Sequence, residues 1–441
     1  MFKKIFLLSV LVFAVVISVF NGKCLAADKK IKLFDHSLSI DESIKQNRMG
    51  TITIKTKPNA EVKVTQLKHE FLFGTCVNAM MWSQWDDFKS QRDWPLDFEH
   101  MNDPAARGFI MTNKELYKKT ILDNFNYAVH QNDIKWFCTE QRQSGDIYYT
   151  AAERVAKWCD ENNIEMRGHC LFWAKGMFVQ DWQRKLSDDE LRARIQQHCK
   201  DVVSRFKGQI KEWDLNNEMI AGNYYRERFG DQIIADMCKW VHEVDPEIKI
   251  YLNDYDILVK GFALDKYLQQ INHLLDIGCP FEGIGIQAHS WWVGKYDEEY
   301  IKDTLDKLAK IGLELKITEY VANNWAKDDK ERASYLRDFY RVCFAHPAVE
   351  AIVMWGFWEG AMWLDEYGMY ERDWRPNELA KAYRDLVFDQ WWTKFQGRAD
   401  ENGICEVSAF FGKHQIESNG IKQNLELKKA QKSIEVNLLA R

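Results

Sequence analysis

The sequence predicts an α/β fold, a (β/α)8 TIM barrel with small flanking β segments. Three observations point there. Short β-rich runs alternate with longer amphipathic stretches through most of the 441 residues. Nearly every run ends in polar side chains able to do chemistry, and a closed parallel barrel gathers such residues at the C-terminal ends of its strands. The first run, around Gly74-Thr75-Cys76-Val77, supplies no G-x-G-x-x-G turn. That counts against the alternative, an open doubly wound sheet.

Taken in order, residues 1–26 read as a signal peptide. Lys3 and Lys4 precede an apolar stretch from Ile5 to Phe20, and Cys24-Leu25-Ala26 offers a small-residue cleavage site. The stretch falls short of the roughly 20 residues of a membrane span. An uncleaved N-terminal anchor is the alternative, and Lys23 directly before Cys24 argues against a lipid-modified cysteine. The mature protein is thus expected to be secreted or periplasmic, with no membrane partner. Residues 27–70 form an N-terminal β segment, in which Ile52, Ile54, Val62 and Val64 alternate about Pro58-Asn59 and predict a hairpin.

The catalytic barrel is assigned to 71–392. Its strands are expected at 71–77, 127–136, 164–173, 210–217, 248–253, 281–288, 313–318 and 351–357. Helical periodicity falls near 114–124, 151–161, 188–206, 231–243, 261–277, 297–311, 328–344 and 376–389. Ser187 before Asp188-Asp189-Glu190 and Asn377 before Glu378 are helix-start signals. The connection 79–113 is long and carries Trp82, Trp85 and Trp94, a length common in functional loops. Residues 393–441 form a C-terminal β-rich segment with Gly403, Phe410-Phe411-Gly412 and an alternation of Ile434, Val436 and Leu438. The two flanks are expected to pack as one discontinuous β module.

Net charge is −6, and basic pairs such as Arg192 and Arg194 sit on a helix-forming stretch as a solvated face. An acidic body without a basic stripe argues against nucleic acid or anionic lipid as partner. Of ten cysteines, Cys24 leaves with the leader. The others show no C-x-x-C and sit singly in apolar segments, as buried free thiols do, although an oxidising compartment leaves room for a disulfide or two. The eleven histidines make no H-E-x-x-H, so neither a metal nor a cofactor is expected.

Polar residues end the strands in turn: Asn132 and Lys135, His169, Glu218, Asn253-Asp254, Gln287 and His289, Glu319 and Trp355. Glu218 closes the apolar run Trp213-Asp214-Leu215-Asn216-Asn217, and Glu319 closes Leu315-Lys316-Ile317-Thr318. Glycosidic bonds are commonly cut by two such carboxyl groups, roughly 5–5.5 Å apart where configuration is retained. Their surroundings must separate the two pKa values, so that one is ionised while the other holds a proton. A second Asn-Glu, at Asn377-Glu378, sits in a helix's first turn and reads as a cap.

The ordered set Asn132-Asp133-Ile134-Lys135-Trp136, Arg167-Gly168-His169-Cys170-Leu171-Phe172-Trp173, Trp213 to Glu218, Leu252-Asn253-Asp254-Tyr255, Gly283 to His289, Ile317-Thr318-Glu319 and Trp355-Gly356-Phe357-Trp358 resembles glycoside hydrolase family 10, the endo-β-1,4-xylanase family. The likeness runs from about Phe71 to Trp392. It implies an eight-fold barrel and net retention at the anomeric carbon. By this resemblance Glu319 is the nucleophile and Glu218 the acid/base. Asn217 matches the residue that bonds the sugar 2-hydroxyl, and His289 the one that orients the nucleophile. Asn132, Lys135, His169, Trp173 and Gln287 match sugar-binding positions, and Trp355 and Trp363 the aromatic walls of the cleavage subsite.

Two departures bear on specificity. Gln131 stands where the family has glutamate, and Ala174-Lys175-Gly176 replaces His-Ser-Gln after Trp173. Away from the motif, His169 reads as a core histidine, Trp358 as core packing, and Trp391-Trp392 as a seal on the barrel's end. The expected activity is endo-hydrolysis of a xylan-like polysaccharide by a monomer. Two alternatives stay open: a related retaining glycosidase of other backbone specificity, and a non-catalytic polysaccharide-binding protein on the same barrel.

Overall fold

The computed structural model describes residues 31–83, 104–289, 297–321, 326–362 and 367–439. The expected leader, Trp85, Trp94 and Trp363 lie outside them. Two strands come first, β1 (Met49–Lys55) and β2 (Glu61–His69). The barrel strands follow: β3 (Leu72–Val77), β4 (Tyr127–His130), β5 (Glu165–Gly168), β6 (Ile210–Asp214), β7 (Lys249–Asp254), β8 (Gly283–Ile286), β9 (Glu314–Tyr320) and β10 (Val349–Met354). They close in the order β10-β3-β4-β5-β6-β7-β8-β9, and every neighbouring pair is parallel.

A helix follows each barrel strand: Pro104–Asn124, Thr150–Glu161, Asp188–Phe206, Gln232–Val244, Leu264–Asp276, Glu298–Ala309, Asp329–Ala345 and Glu378–Arg384. The start signals act as local chemistry dictates. Ser187 and Glu190 form a reciprocal capping box, and Asn377 accepts from the amides of Leu379 and Ala380. The expected (β/α)8 barrel is the fold, with shorter strands than the apolar runs suggested. The run from 127 leaves the sheet after His130, because Asn132 turns the chain into the short helix Trp136–Thr139.

The flanks form two further sheets with β11 (Lys394–Arg398), β12 (Ile404–Phe410), β13 (Gly412–Ser418), β14 (Ile421–Leu427) and β15 (Ser433–Asn437). One has the order β12-β1-β15 and the other β11-β2-β13-β14. The hairpin expected about Pro58-Asn59 is therefore corrected: β1 and β2 pair with C-terminal strands in different sheets. Their alternating faces, Ile52 and Ile54 on one and Val62 and Val64 on the other, meet in a shared core with Val407, Ile416 and Val436. Burying both apolar faces against each other requires two layers, which a lone hairpin cannot supply.

The helix Ile40–Arg48 was not anticipated, although Ser39 and Glu42 spell the capping box that starts it. Its last residue ties the flank to the barrel. The buried Arg48 guanidinium donates to the carbonyls of Phe344, His346 and Val349 at 2.5, 2.6 and 2.7 Å. Trp391 stacks on Phe344 at 4.2 Å, closing that end. Among the described residues the cysteines are free thiols, all but Cys138 buried, and no helix is long and apolar enough to cross a membrane.

Alternate residues of each barrel strand point inward, and the interior is divided. Cys76, Tyr127, Val129, Ala351, Val353 and Trp355 make an apolar side. The other side is ionic. Arg167 donates to Asp214 Oδ2 at 3.0 Å and to Glu212 Oε1 at 2.9 Å, Lys316 pairs with Glu212, and Tyr127 donates to Glu212. Tyr251 lies under the guanidinium at 4.4 Å. Gly283 makes room for that ring, since a Cβ there would fall 2.0 Å from it.

Two cations thus face two carboxylates in a water-poor interior. Burial pushes the Glu212 carboxyl pKa up, but the Lys316 and Arg167 charges outweigh it and hold it below its ordinary value. Lys316→Met is expected to cost about 3–5 kcal/mol, because it strands a buried negative charge. Urea unfolding should show the loss, and adding Glu212→Leu should recover part of it. A single variant as stable as the parent would refute the account.

Candidate active site

The C-terminal ends of β4, β5, β8 and β9, with the segments after β6, β7 and β10, open into a cleft of about 560 Å³. It is lined by Gln131, Asn132, Lys135, His169, Trp173, Asn217, Glu218, Gln287, His289, Glu319 and Trp355, together with Phe137, Lys175, Met177, Phe178, Tyr255 and Asp256. The two glutamates thus share one cleft. Of the residues picked from sequence, Trp363 lies outside the described residues and the others all reach the cleft wall.

Glu319 sits at the end of β9 and is 4% exposed. Its Oε1 accepts from Asn253 Nδ2 at 2.9 Å, and its Oε2 faces His289 Nε2 at 3.0 Å. His169 Nε2 stands 4.0 Å from Oε1, and its Nδ1 is held 2.8 Å from Asp214. Burial pushes the Glu319 pKa up. The His289 hydrogen bond, with the charges of His169, His289 and Lys135, overcomes this and leaves it below the ordinary value. An anion with fixed donors on both oxygens has one orientation and stays charged below the pH at which a free glutamate protonates.

Glu218 follows β6 with a left-handed backbone, φ 59°. That conformation is costly for a residue with a Cβ and persists where the surroundings fix it. Here Asn217 N–H donates to Phe172 O at 2.8 Å and Glu218 N–H to Asn253 O at 2.9 Å. The result aims Glu218 at the cleft. Its Oε1 accepts from Gln287 Nε2 at 3.1 Å and its Oε2 from Trp173 Nε1 at 3.1 Å. Lys175 pairs with the same Oε2. Nearby Asp254, buried and bonded to the Ile220 amide at 3.0 Å, is pushed up to about 7 by its burial.

Asn253 links the two halves: its Nδ2 also lies 2.9 Å from Asn217 Oδ1, and its Oδ1 accepts from Thr318. Sequence reasoning placed Asn253 at a strand end without giving it a role; its position in Leu252-Asn253-Asp254-Tyr255 was the available signal. Gly285 leaves space for it, a Cβ there falling 2.5 Å from Asn253 Oδ1.

The walls are aromatic. Trp355 meets His169 edge-on at 5.2 Å. Phe178 stacks on Trp173 at 3.7 Å, and the Lys135 ammonium lies over the same ring at 4.4 Å while donating to Asn132 Oδ1 at 2.9 Å. Trp173 therefore turns its N–H edge to Glu218 and has little free face for a sugar. Phe137, Met177, Phe178 and Tyr255 were given no role, because apolar and aromatic residues beyond the strand ends carry no signature in a single sequence.

A parallel barrel with two glutamates, each differently bonded, in one aromatic-walled cleft at its C-terminal rim defines a protein of the glycoside hydrolase class. Comparison narrows the class. Residues 97–386 match the model of glycosyl hydrolase family 10, and the chain belongs to that family. It is 35% identical, over 85% of its length and 46% of the relative's, to anti-sigma-I factor RsgI6 of Acetivibrio thermocellus. It is 32% identical, over 81% of its length and 34% of the relative's, to endo-1,4-beta-xylanase 1 of Arabidopsis thaliana. The chain thus spans less than half of these two relatives. The fold also matches native xylanase 10B from Thermotoga maritima, with TM-score 0.61 and 23% identity, covering 73% of this chain and 96% of that one.

Proposed function

We propose that this chain is an exported retaining endo-glycosidase acting on β-1,4-xylan or a xylan-like polysaccharide. The observation that carries the reading is the contrast between the two carboxylates of the cleft. Glu319 is buried, bonded on both oxygens and held ionised, as a nucleophile needs. Glu218 lies beside the acid Asp254 and takes its bonds from Trp173, Gln287 and Lys175. In the proposed reaction Glu218 protonates the leaving oxygen while Glu319 attacks the anomeric carbon. Glu218, now ionised, then takes a proton from water, which releases the sugar from Glu319 with its configuration retained. Asn217 is positioned to bond the sugar 2-hydroxyl, a bond that strengthens as positive charge develops. Xylanase names among the relatives favour xylan as the polymer.

Reducing-sugar release from xylan by the purified protein, with analysis of product lengths, tests the reading. Long and intermediate oligosaccharides early in the reaction are expected; no release from any β-1,4-linked polymer would overturn it. One relative is named an anti-sigma-I factor and not a hydrolase, and a polysaccharide-binding protein without turnover is the second reading. Retention on insoluble xylan with no released sugar would select it.

Gln131 is 5% exposed on the cleft wall. Its amide accepts and also donates where a carboxylate only accepts. Gln131→Glu is expected to lower KM for xylo-oligosaccharides about fivefold, the equivalent of one hydrogen bond of about 1 kcal/mol. Unchanged KM and kcat would remove Gln131 from the sugar-binding set.

A further inference from the structure

Lys175 belongs to the segment Ala174-Lys175-Gly176 that departs from the family pattern, and its side chain is committed to Glu218. Its ammonium pairs with Glu218 Oε2 and lies 4.6 Å over the Tyr255 ring. The side chain is 25% exposed. The backbone around it is built to hold this place. Tyr224 N–H donates to Ala174 O at 3.2 Å. At Gly222 a Cβ would fall 3.0 Å from Lys175 N and 3.1 Å from Glu218 O, so the turn after Glu218 lies directly against the segment that carries the lysine. Arg184 braces the far side through Gly176 O.

Every bond Glu218 receives favours its anion, because an ionised carboxylate only accepts. Trp173 and Gln287 supply neutral donors. Acidic groups face it from other elements: Asp254 at the end of β7, Asp256 after it and Glu319 across the cleft, with the neutral Tyr255 phenol and Cys170 thiol beside them. His169, His289 and Lys135 stand on the nucleophile's side. Among the described residues Lys175 is the cation paired directly with Glu218.

We propose that Lys175 is a positioning residue for the acid/base carboxylate: its ammonium, paired with Glu218 Oε2 and seated over Tyr255, sets the upper pH limit of glycosidic cleavage. This rests on the functional reading above. An adjacent cation lowers the pH below which Glu218 carries the proton the leaving oxygen needs. The same ion pair suits the second step, in which Glu218 acts as a base.

The test is the pH profile of kcat/KM on a xylo-oligosaccharide. Lys175→Met is expected to move the basic limb up by about one pH unit, so that activity one unit above the parent's limb rises about fivefold. Lys175→Arg, which keeps the charge, should leave the limb near the parent's. On an aryl xyloside with a good leaving group, parent and Lys175→Met should differ little at high pH. An unmoved limb in Lys175→Met overturns the proposal. If the parent cleaves no xylo-oligosaccharide, the functional reading fails by itself. The ¹³C titration of the Glu218 carboxyl in the full chain, assigned with Glu218→Gln, still decides Lys175. A rise of about one unit in Lys175→Met supports it, and no rise overturns it. Lys175→Gln serves the same comparison if the methionine variant does not fold.

Discussion

Glu319→Ala is expected to abolish turnover on every glycoside, whatever its leaving group. Under the proposed double displacement no covalent intermediate forms without this carboxylate. Loss of a nucleophile in other covalent enzymes costs on the order of 10⁶ in kcat. The fold should survive, because Glu319 lies at the cleft end of β9 and the cations deeper in the barrel, Arg167 and Lys316, are balanced by Glu212 and Asp214. Glu319→Gln is the closer control: it keeps the shape and removes the charge that faces His289 and His169. Both variants should be inactive on xylan and on activated aryl xylosides alike, with unfolding temperatures near the parent's. More than about 1% of parental activity on an activated substrate, far above the residue left in such enzymes, would take the nucleophile's role from Glu319.

The barrel was legible because its signal repeats. Eight apolar runs, each followed by a helical pattern, leave few architectures open, and caps such as Ser187 with Glu190 fix helix starts locally. Strand ends were less legible. The run from 127 to 136 was extended past His130 because Ile134 and Trp136 are apolar; both are buried beyond the sheet, where hydrophobicity no longer marks a strand. Pairing in the flanks was misread for a related reason. The alternation at Ile52, Ile54, Val62 and Val64 states which faces are buried and says nothing of which strand lies alongside.

In the site, the residues that announce themselves are polar groups ending apolar runs, such as Glu218, Gln287 and Glu319. Asn253 and Lys175 act through neighbours 66 and 43 positions away, Glu319 and Glu218, and such partners become visible only when the strand ends converge. The left-handed backbone at Glu218 is likewise invisible in sequence, since nothing in Asn217-Glu218-Met219 demands it. It is imposed by the bonds that the Asn217 and Glu218 amides donate to the carbonyls of Phe172 and Asn253, from the neighbouring strand on either side.

Glu218→Ala should separate substrates by leaving group. The first step needs an acid in proportion to the basicity of the departing oxygen. A sugar alkoxide needs a proton, and a nitrophenolate scarcely does. On xylan the loss is expected to reach about 10²–10⁴-fold, the range of general acid catalysis. On a dinitrophenyl xyloside, glycosylation of Glu319 should stay fast while its hydrolysis, now without a general base, becomes slow. The glycosyl-enzyme then accumulates. A burst of phenolate equal to the enzyme concentration should precede a slow steady state, and KM should fall because the intermediate holds the enzyme. The neighbours sharpen the reading. The alanine leaves the Lys175 ammonium unpaired beside the cleft, so Glu218→Gln, which keeps the side chain's size and its acceptor for Trp173 and Lys175, should show the same burst. If both variants lose activity equally on xylan and on the activated xyloside, with no burst, Glu218 is not the acid/base, and the contrast between the two carboxylates needs another cause.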